Sequence, residues 1–152
     1  MTYLLDTDTL VYLVRGLKIT SPKSDRQNDR VRKARRILAR CRRSQEGGDA
    51  VSLSAITVAE LEYGARKSGD YATEIAAVRK ILTPFLTADF DAINCAEYYG
   101  AVRHTLEAAG ASIGAMDMLI ASHAKALGAT LVTNHLCHFA RIAGLRCENW
   151  CD

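Results

Sequence analysis

Short β-type runs alternate with segments of helical periodicity along this whole chain, and that alternation narrows the fold more than any other feature. The runs Tyr3–Leu5, Val51–Leu53, Phe85–Thr87, Thr130–Thr133 and Leu145–Glu148 read as five strands. The first helix is entered through Thr7-Asp8-Thr9, good N-cap chemistry. Residues 20–29 read as a polar loop, and Val31, Ala34, Ile37, Leu38 and Cys41 then recur at helical spacing among arginines until Gly47-Gly48. Ser54 caps a helix carrying Glu60, in which Glu62 and Arg66 are spaced for an ion pair. Further helices are predicted over Tyr71–Leu82, closed by Pro84, over Asp91–Ala109, stopped by Gly110, and between Gly114 and Gly128. This order predicts an α/β domain with a mostly parallel sheet, and 152 residues suit one domain, 1–152.

No run of about 18 apolar residues exists, so no membrane span is expected. The start, Met1-Thr2-Tyr3-Leu4-Leu5-Asp6, has no basic region and meets an acid at once, unlike a signal peptide. A cytoplasmic protein with reduced thiols is the expectation for the five scattered cysteines. His135, Cys137, His138, Cys147 and Cys151 are spaced more loosely than zinc ligands, which favours small buried thiols over a metal. Charge is unevenly spread. Residues 15–43 carry twelve basic side chains against only Asp25 and Asp29, an excess of ten; the whole-chain charge of +3 leaves the remainder at −7. Such a basic arm beside an acidic body suits a polyanion, with Arg32, Arg35 and Arg36 as candidate contacts.

Three acids stand at strand–helix junctions: Asp6 after the first strand, Glu60 after the second, and Asp117 among Ala115, Met116, Met118 and Leu119. Ionised carboxylates on apolar backgrounds are costly unless paired or bound to a cation. In a parallel sheet, ligands bind beyond the carboxyl ends of the strands. Asp6, Thr133, Asn134 and His135 fall on that rim, and Glu60 and Asp117 can point across it. A hard cation such as Mg²⁺ would turn the cluster into a device for activating water against a phosphodiester. Competing assignments exist: Asp6 as a plain helix cap, Asp8 as a cap or supporting group, and Glu62 as the inward acid instead of Glu60. Asp6-Thr7-Asp8-Thr9-Leu10 also resembles the D-x-D-x-T signature of haloacid-dehalogenase-like phosphatases, with Leu10 at the position of its Thr. That reading lacks the later Lys and acidic pair, since beyond Asn134 the only acids are Glu148 and Asp152.

Taken together, Tyr3-Leu4-Leu5-Asp6-Thr7-Asp8, the segment Leu53 to Gly64, Ile113-Gly114-Ala115-Met116-Asp117-Met118-Leu119-Ile120-Ala121, and Leu131-Val132-Thr133-Asn134-His135 resemble the PIN-domain ribonucleases of the VapC toxin type. The tail from His138 to Trp150 is similar too. The resemblance implies a three-layer α/β/α sandwich, and an endoribonuclease that uses Mg²⁺ or Mn²⁺ to activate water against cellular RNA. It also implies a homodimer and inhibition by a VapB-type antitoxin. Asp6, Glu60 and Asp117 fall on the family's metal-site acids, and Thr133 on the polar position that supports them. Two departures stand out: His135 where the family often has Asp or Asn, and a basic helical insertion at about 18–47. The first leaves open a module that binds nucleic acid or antitoxin without cutting.

Overall fold

The strand residues are apolar on both sides because both faces of the sheet are covered. The computed structural model describes all 152 residues. In chain order the elements are β1 (Thr2–Leu5), α1 (Thr7–Leu17), α2 (Asp25–Glu46), β2 (Ala50–Ser54), α3 (Ala55–Lys67), α4 (Tyr71–Leu82), β3 (Leu86–Ala88), α5 (Asn94–Ala108), α6 (Ala115–Ala126), β4 (Thr130–Val132), α7 (Leu136–Phe139) and β5 (Cys147–Glu148). All five strands are parallel, in the order β3-β2-β1-β4-β5. Register puts Leu4 opposite Ser52 and Leu131, and Leu5 opposite Leu53 and Val132. Successive side chains point to opposite faces. Tyr3, Leu5, Val51, Leu53 and Val132 therefore pack with Leu10, Leu13, Ile37, Leu61 and Val78 of α1–α4. Leu4 and Leu131 pack with Val102, Leu106, Met118, Ile120 and Phe139 of α5–α7. The result is the three-layer α/β/α sandwich, with β1 at its centre.

Several boundaries differ from the sequence reading, each for a local reason. The supposed loop 20–29 holds the first turn of α2. Ser24 Oγ accepts from the Gln27 N–H (3.1 Å) while Gln27 Oε1 accepts from the Lys23 N–H (2.7 Å). That start has no apolar periodicity, but Ser24-x-x-Gln27 is capping-box spacing. Asp91 precedes α5 rather than lying in it, its Oδ1 accepting from the N–H groups of Ile93 and Asn94 (2.9 and 2.6 Å). The edge strand β3 begins one residue later than predicted, Thr133 lies just past β4, and the short α7 was not foreseen. Glu62 does not pair with Arg66. It accepts from the Tyr71 hydroxyl (2.7 Å) and pairs with Arg79 (3.1 Å), while Arg66 stacks 3.8 Å above the Tyr71 ring.

Two contacts fix α2, the basic helix. Gly16 lets α1 approach it so closely that a β-carbon there would lie 2.3 Å from Ala34 Cβ and 2.6 Å from the Arg30 carbonyl oxygen. At its other end Arg40 pairs with Glu148 (3.2 Å) and stacks over Trp150 (5.3 Å), whose ring packs on Tyr3. No helix is long and apolar enough to cross a membrane.

Candidate active site

Asp6 is the first residue beyond β1, and its N–H still donates to the Val132 carbonyl at the end of β4 (3.0 Å). Its side chain does cap α1, Oδ1 accepting from the Thr9 N–H at 2.8 Å. The Thr9 hydroxyl donates to the same Val132 carbonyl (3.1 Å), which binds the start of α1 to the sheet rim. Asp6 is only 4% exposed. Burial holds its carboxyl above the usual range; the Thr133 hydroxyl and the Thr9 N–H pull it back down, and the negative charge of Asp8 pushes it up again. A cap and a functional acid are thus the same residue.

Asp117 arrives from the far end of the chain. Gly114 opens α6, and Asp117 stands in the first turn, where the helix dipole favours an anion. Its pKa is nevertheless raised, first by burial and then by Asp8, with His138 and His135 opposing. His138 Nδ1 lies 3.8 Å from Asp117 Oδ2, Asp8 is in contact with His135 Nε2, and the two imidazoles stack 5.5 Å apart. Asp8 is therefore the acid the sequence reading undervalued, because its field reaches both Asp6 and Asp117. The signal was available in Asp6-Thr7-Asp8, which sets two acids at one helix start, the first buried and the second half-exposed.

Glu60, on α3, is brought to the same helix start by a different route. The Thr7 hydroxyl donates to Glu60 Oε1 at 2.6 Å and lies 3.2 Å from the Thr57 hydroxyl. Glu60 rather than Glu62 is the inward acid, since Glu62 turns to α4. Thr133 is fully buried, its hydroxyl accepting from the His135 N–H at 3.0 Å. Both polar atoms of the Asn134 side chain are buried without a hydrogen-bond partner.

Hard oxygen donors of this kind suit Mg²⁺, and a cation would offset both the burial that chiefly raises Asp6 and Asp117 and the added negative charge of Asp8. As the side chains stand, though, no three His, Cys, Asp or Glu donors converge as a metal site. The reason is local: Thr7 engages Glu60, His135 engages Asp8, and His138 faces Asp117. The His–Cys tail does not gather either. Its cysteines are free, and burial pushes the Cys147 thiol up to about 11, a poor ligand state.

The cations next to the acids are not those the sequence reading chose. Arg32, Arg35 and Arg36 line a hollow with Pro22, Asn28, Val31 and Ala39 on a separate face of α2. Arg26, Arg30 and Lys33, spaced four and three residues apart, line another hollow with Arg15, Asp8 and His135. Helical spacing separates these two sets.

The PIN domain family model matches residues 3–145. The chain belongs to the PIN-domain family. Its VapC membership rests on relatives of the same length. The chain is 36% identical over 150 residues to Ribonuclease VapC2 of Rickettsia felis, covering 99% of this chain and 98% of that one. It is 30% identical over 151 residues to the tRNA(fMet)-specific endonuclease VapC of Salmonella typhimurium, covering 99% of each. Among solved structures, that of VapBC2 from Rickettsia felis bound to a promoter DNA fragment superposes with a TM-score of 0.82 at 34% identity, covering 99% of both chains. These relatives are named as nucleases, and the phosphatase reading of Asp6 and Asp8 falls with that kinship. In this VapC-type PIN domain Asp6 and Asp8 lie at the rim of the parallel sheet, at the start of α1.

Proposed function

We propose that the chain is a Mg²⁺-dependent endoribonuclease (Mn²⁺ being the substitute ion) and the toxin partner of a VapB-type antitoxin. The observation that carries this reading is the gathering of Asp117, an acid far off in sequence, with the neighbouring pair Asp6 and Asp8, beside guanidinium groups without acidic partners. Asp6, Glu60 and Asp117 would hold the ion. Bound there, Mg²⁺ supplies the positive charge that makes a water molecule acidic and offsets charge on the phosphodiester. Asp6 is held for this role by Thr9 and Thr133, and Asp117 by the first turn of α6. Glu60 is kept ready by the Thr7 hydroxyl, one residue from Asp6. Asp8 orients His135, and the arginines of α1 and α2 hold the polyanion without reading its sequence. The relative named for tRNA makes structured RNA the first substrate class to try. The same kinship supports a homodimer and action in the cytoplasm.

The test is cleavage of total RNA by purified protein with Mg²⁺, with EDTA, and with Asp117→Asn. Discrete fragments that need both metal and Asp117 are expected. Equal cleavage by Asp117→Asn would remove that residue from the site. A second reading, a module that binds without cutting, draws on the engagement of Glu60 and Asp8 by Thr7 and His135. Calorimetric titration separates the two, since such a module need not take up Mg²⁺.

A further inference from the structure

We propose that the hollow between α1 and α2 is a nucleotide subsite, seating the RNA unit next to the one that is cut. The inference rests on the nuclease reading above, and goes beyond it by naming which residues grip the strand outside the acids. The hollow has a volume of about 400 Å³, within the range of about 300–1,000 Å³ in which small ligands are held. Asp8 and His135 are part of its lining, so it adjoins the acidic rim. Arg15, Arg26, Arg30 and Lys33 line it, with the ring of Tyr12.

Three observations point to a phosphate and a base rather than to a solvated helix face. First, Arg15, Arg26 and Arg30 make no ion pair, whereas Lys33 is tied to Asp29 at 3.2 Å. Guanidinium groups left unpaired in one concavity are placed to fork onto phosphate oxygens. Second, Tyr12 is partly exposed at 36%, with Lys33 Nζ standing 5.5 Å from its ring centre. A base stacked on an aromatic ring beside cations is how proteins hold single-stranded nucleic acid without sequence preference. Third, the wall is rigid where it matters. Gly16 and Ala34 lock α1 against α2, and the clash that a β-carbon would make includes the carbonyl of Arg30 itself. Arg15 also lines the hollow that holds Glu60 and Thr7, so one guanidinium borders both sides of the site.

The experiment measures binding of a labelled single-stranded RNA of about eight nucleotides to the full chain carrying Asp117→Asn, with Mg²⁺, across a salt series. Arg26→Gln with Arg30→Gln should weaken binding about tenfold or more and reduce the salt slope by about 0.7 for each phosphate that is no longer neutralised. Tyr12→Ala should weaken it about 5- to 150-fold with the slope unchanged, the range expected for one stacked base. Tyr12→Phe, which keeps the ring, should bind as the parent does. Lys67→Gln with Lys80→Gln, on α3 and α4, removes two charges elsewhere and controls for net charge. Parent-like affinity and slope in the double arginine variant would overturn the subsite while leaving the nuclease reading intact. Polyglutamate displacing RNA at equal charge would overturn it in favour of an acidic protein partner. Binding that depends on these residues, when the chain with Asp117 intact cuts no RNA in Mg²⁺, would keep the hollow as a nucleotide site and overturn the nuclease reading instead.

Discussion

Gly16→Ala is the perturbation whose outcome the packing of α1 on α2 most sharply defines. Alanine in a helix is favoured over glycine by up to about 1 kcal/mol, and less than that here because Gly16 is in the last turn of α1. Against that gain stand contacts of 2.3 Å to Ala34 Cβ and 2.6 Å to the Arg30 carbonyl oxygen. Carbon atoms meet at about 3.5–4.0 Å, so the helices must part locally by more than an ångström. One of the two obstacles is backbone and cannot rotate away. Overpacking of this kind costs about 1–3 kcal/mol, and prising apart Leu10, Leu13, Val14 and Ile37, all at or near zero exposure, favours the upper half of that range. The net loss is about 2 kcal/mol. With a slope of about 2 kcal/mol per molar urea, the unfolding midpoint should fall by about 1 M. The single tryptophan, Trp150, is buried in the same core and reports the transition by fluorescence. Adding Ala34→Gly removes the clash with the Ala34 β-carbon but not the one with Arg30, so the double variant should recover part of the loss and show coupling. RNA affinity should fall alongside stability, because Arg30 lines the hollow that this close approach shapes. An unchanged or raised midpoint for Gly16→Ala would refute the close approach and the rigid wall argued from it.

Other outcomes follow from the site. Between the ordinary carboxylate value of 3.8 and the raised value of Asp6, the folded protein keeps a proton that the unfolded chain has lost, so stability falls as pH rises through that window. Asp6→Asn removes this penalty and retains the cap; its urea midpoint in EDTA at pH 7 should exceed the parent's, with cleavage abolished, and a lower midpoint would contradict the reading. Thr133→Val deletes a hydroxyl that lowers the Asp6 pKa, so the acid limb of the pH–kcat/KM profile should move to higher pH. Thr9→Val takes one of two donors from the Val132 carbonyl; a loss of about 1 kcal/mol is expected in urea melts, and no loss would show that the hydroxyl does not tie α1 to the rim.

What the chain determines by itself is whatever depends on near neighbours in sequence. The alternation of strand and helix, the cap Ser54 and the stops at Gly110 and Gly128 were legible because each rests on hydrogen bonds a few residues long, whereas the cap of α1 is Asp6 rather than the Thr7-Asp8-Thr9 segment the sequence favoured. The acids Asp6, Glu60 and Asp117 stood out against apolar neighbours for the same reason. The start of α2 was legible too, in Ser24 and Gln27, but carries no hydrophobic period to announce it. Tertiary structure decided the rest. Helical spacing sorts Arg26, Arg30 and Lys33 from Arg32, Arg35 and Arg36, yet nothing local says which set turns toward the acids. That choice is made by the rotation of α2 about its axis, and the rotation is set where Gly16 admits Ala34 and where Arg40 meets Glu148 and Trp150. The same holds for Asp8, which acts on Asp117 only because β1 pairs with β4 and brings the start of α1 to the tail carrying His135 and His138. Electrostatic fields act across space, and space between distant residues is supplied by packing.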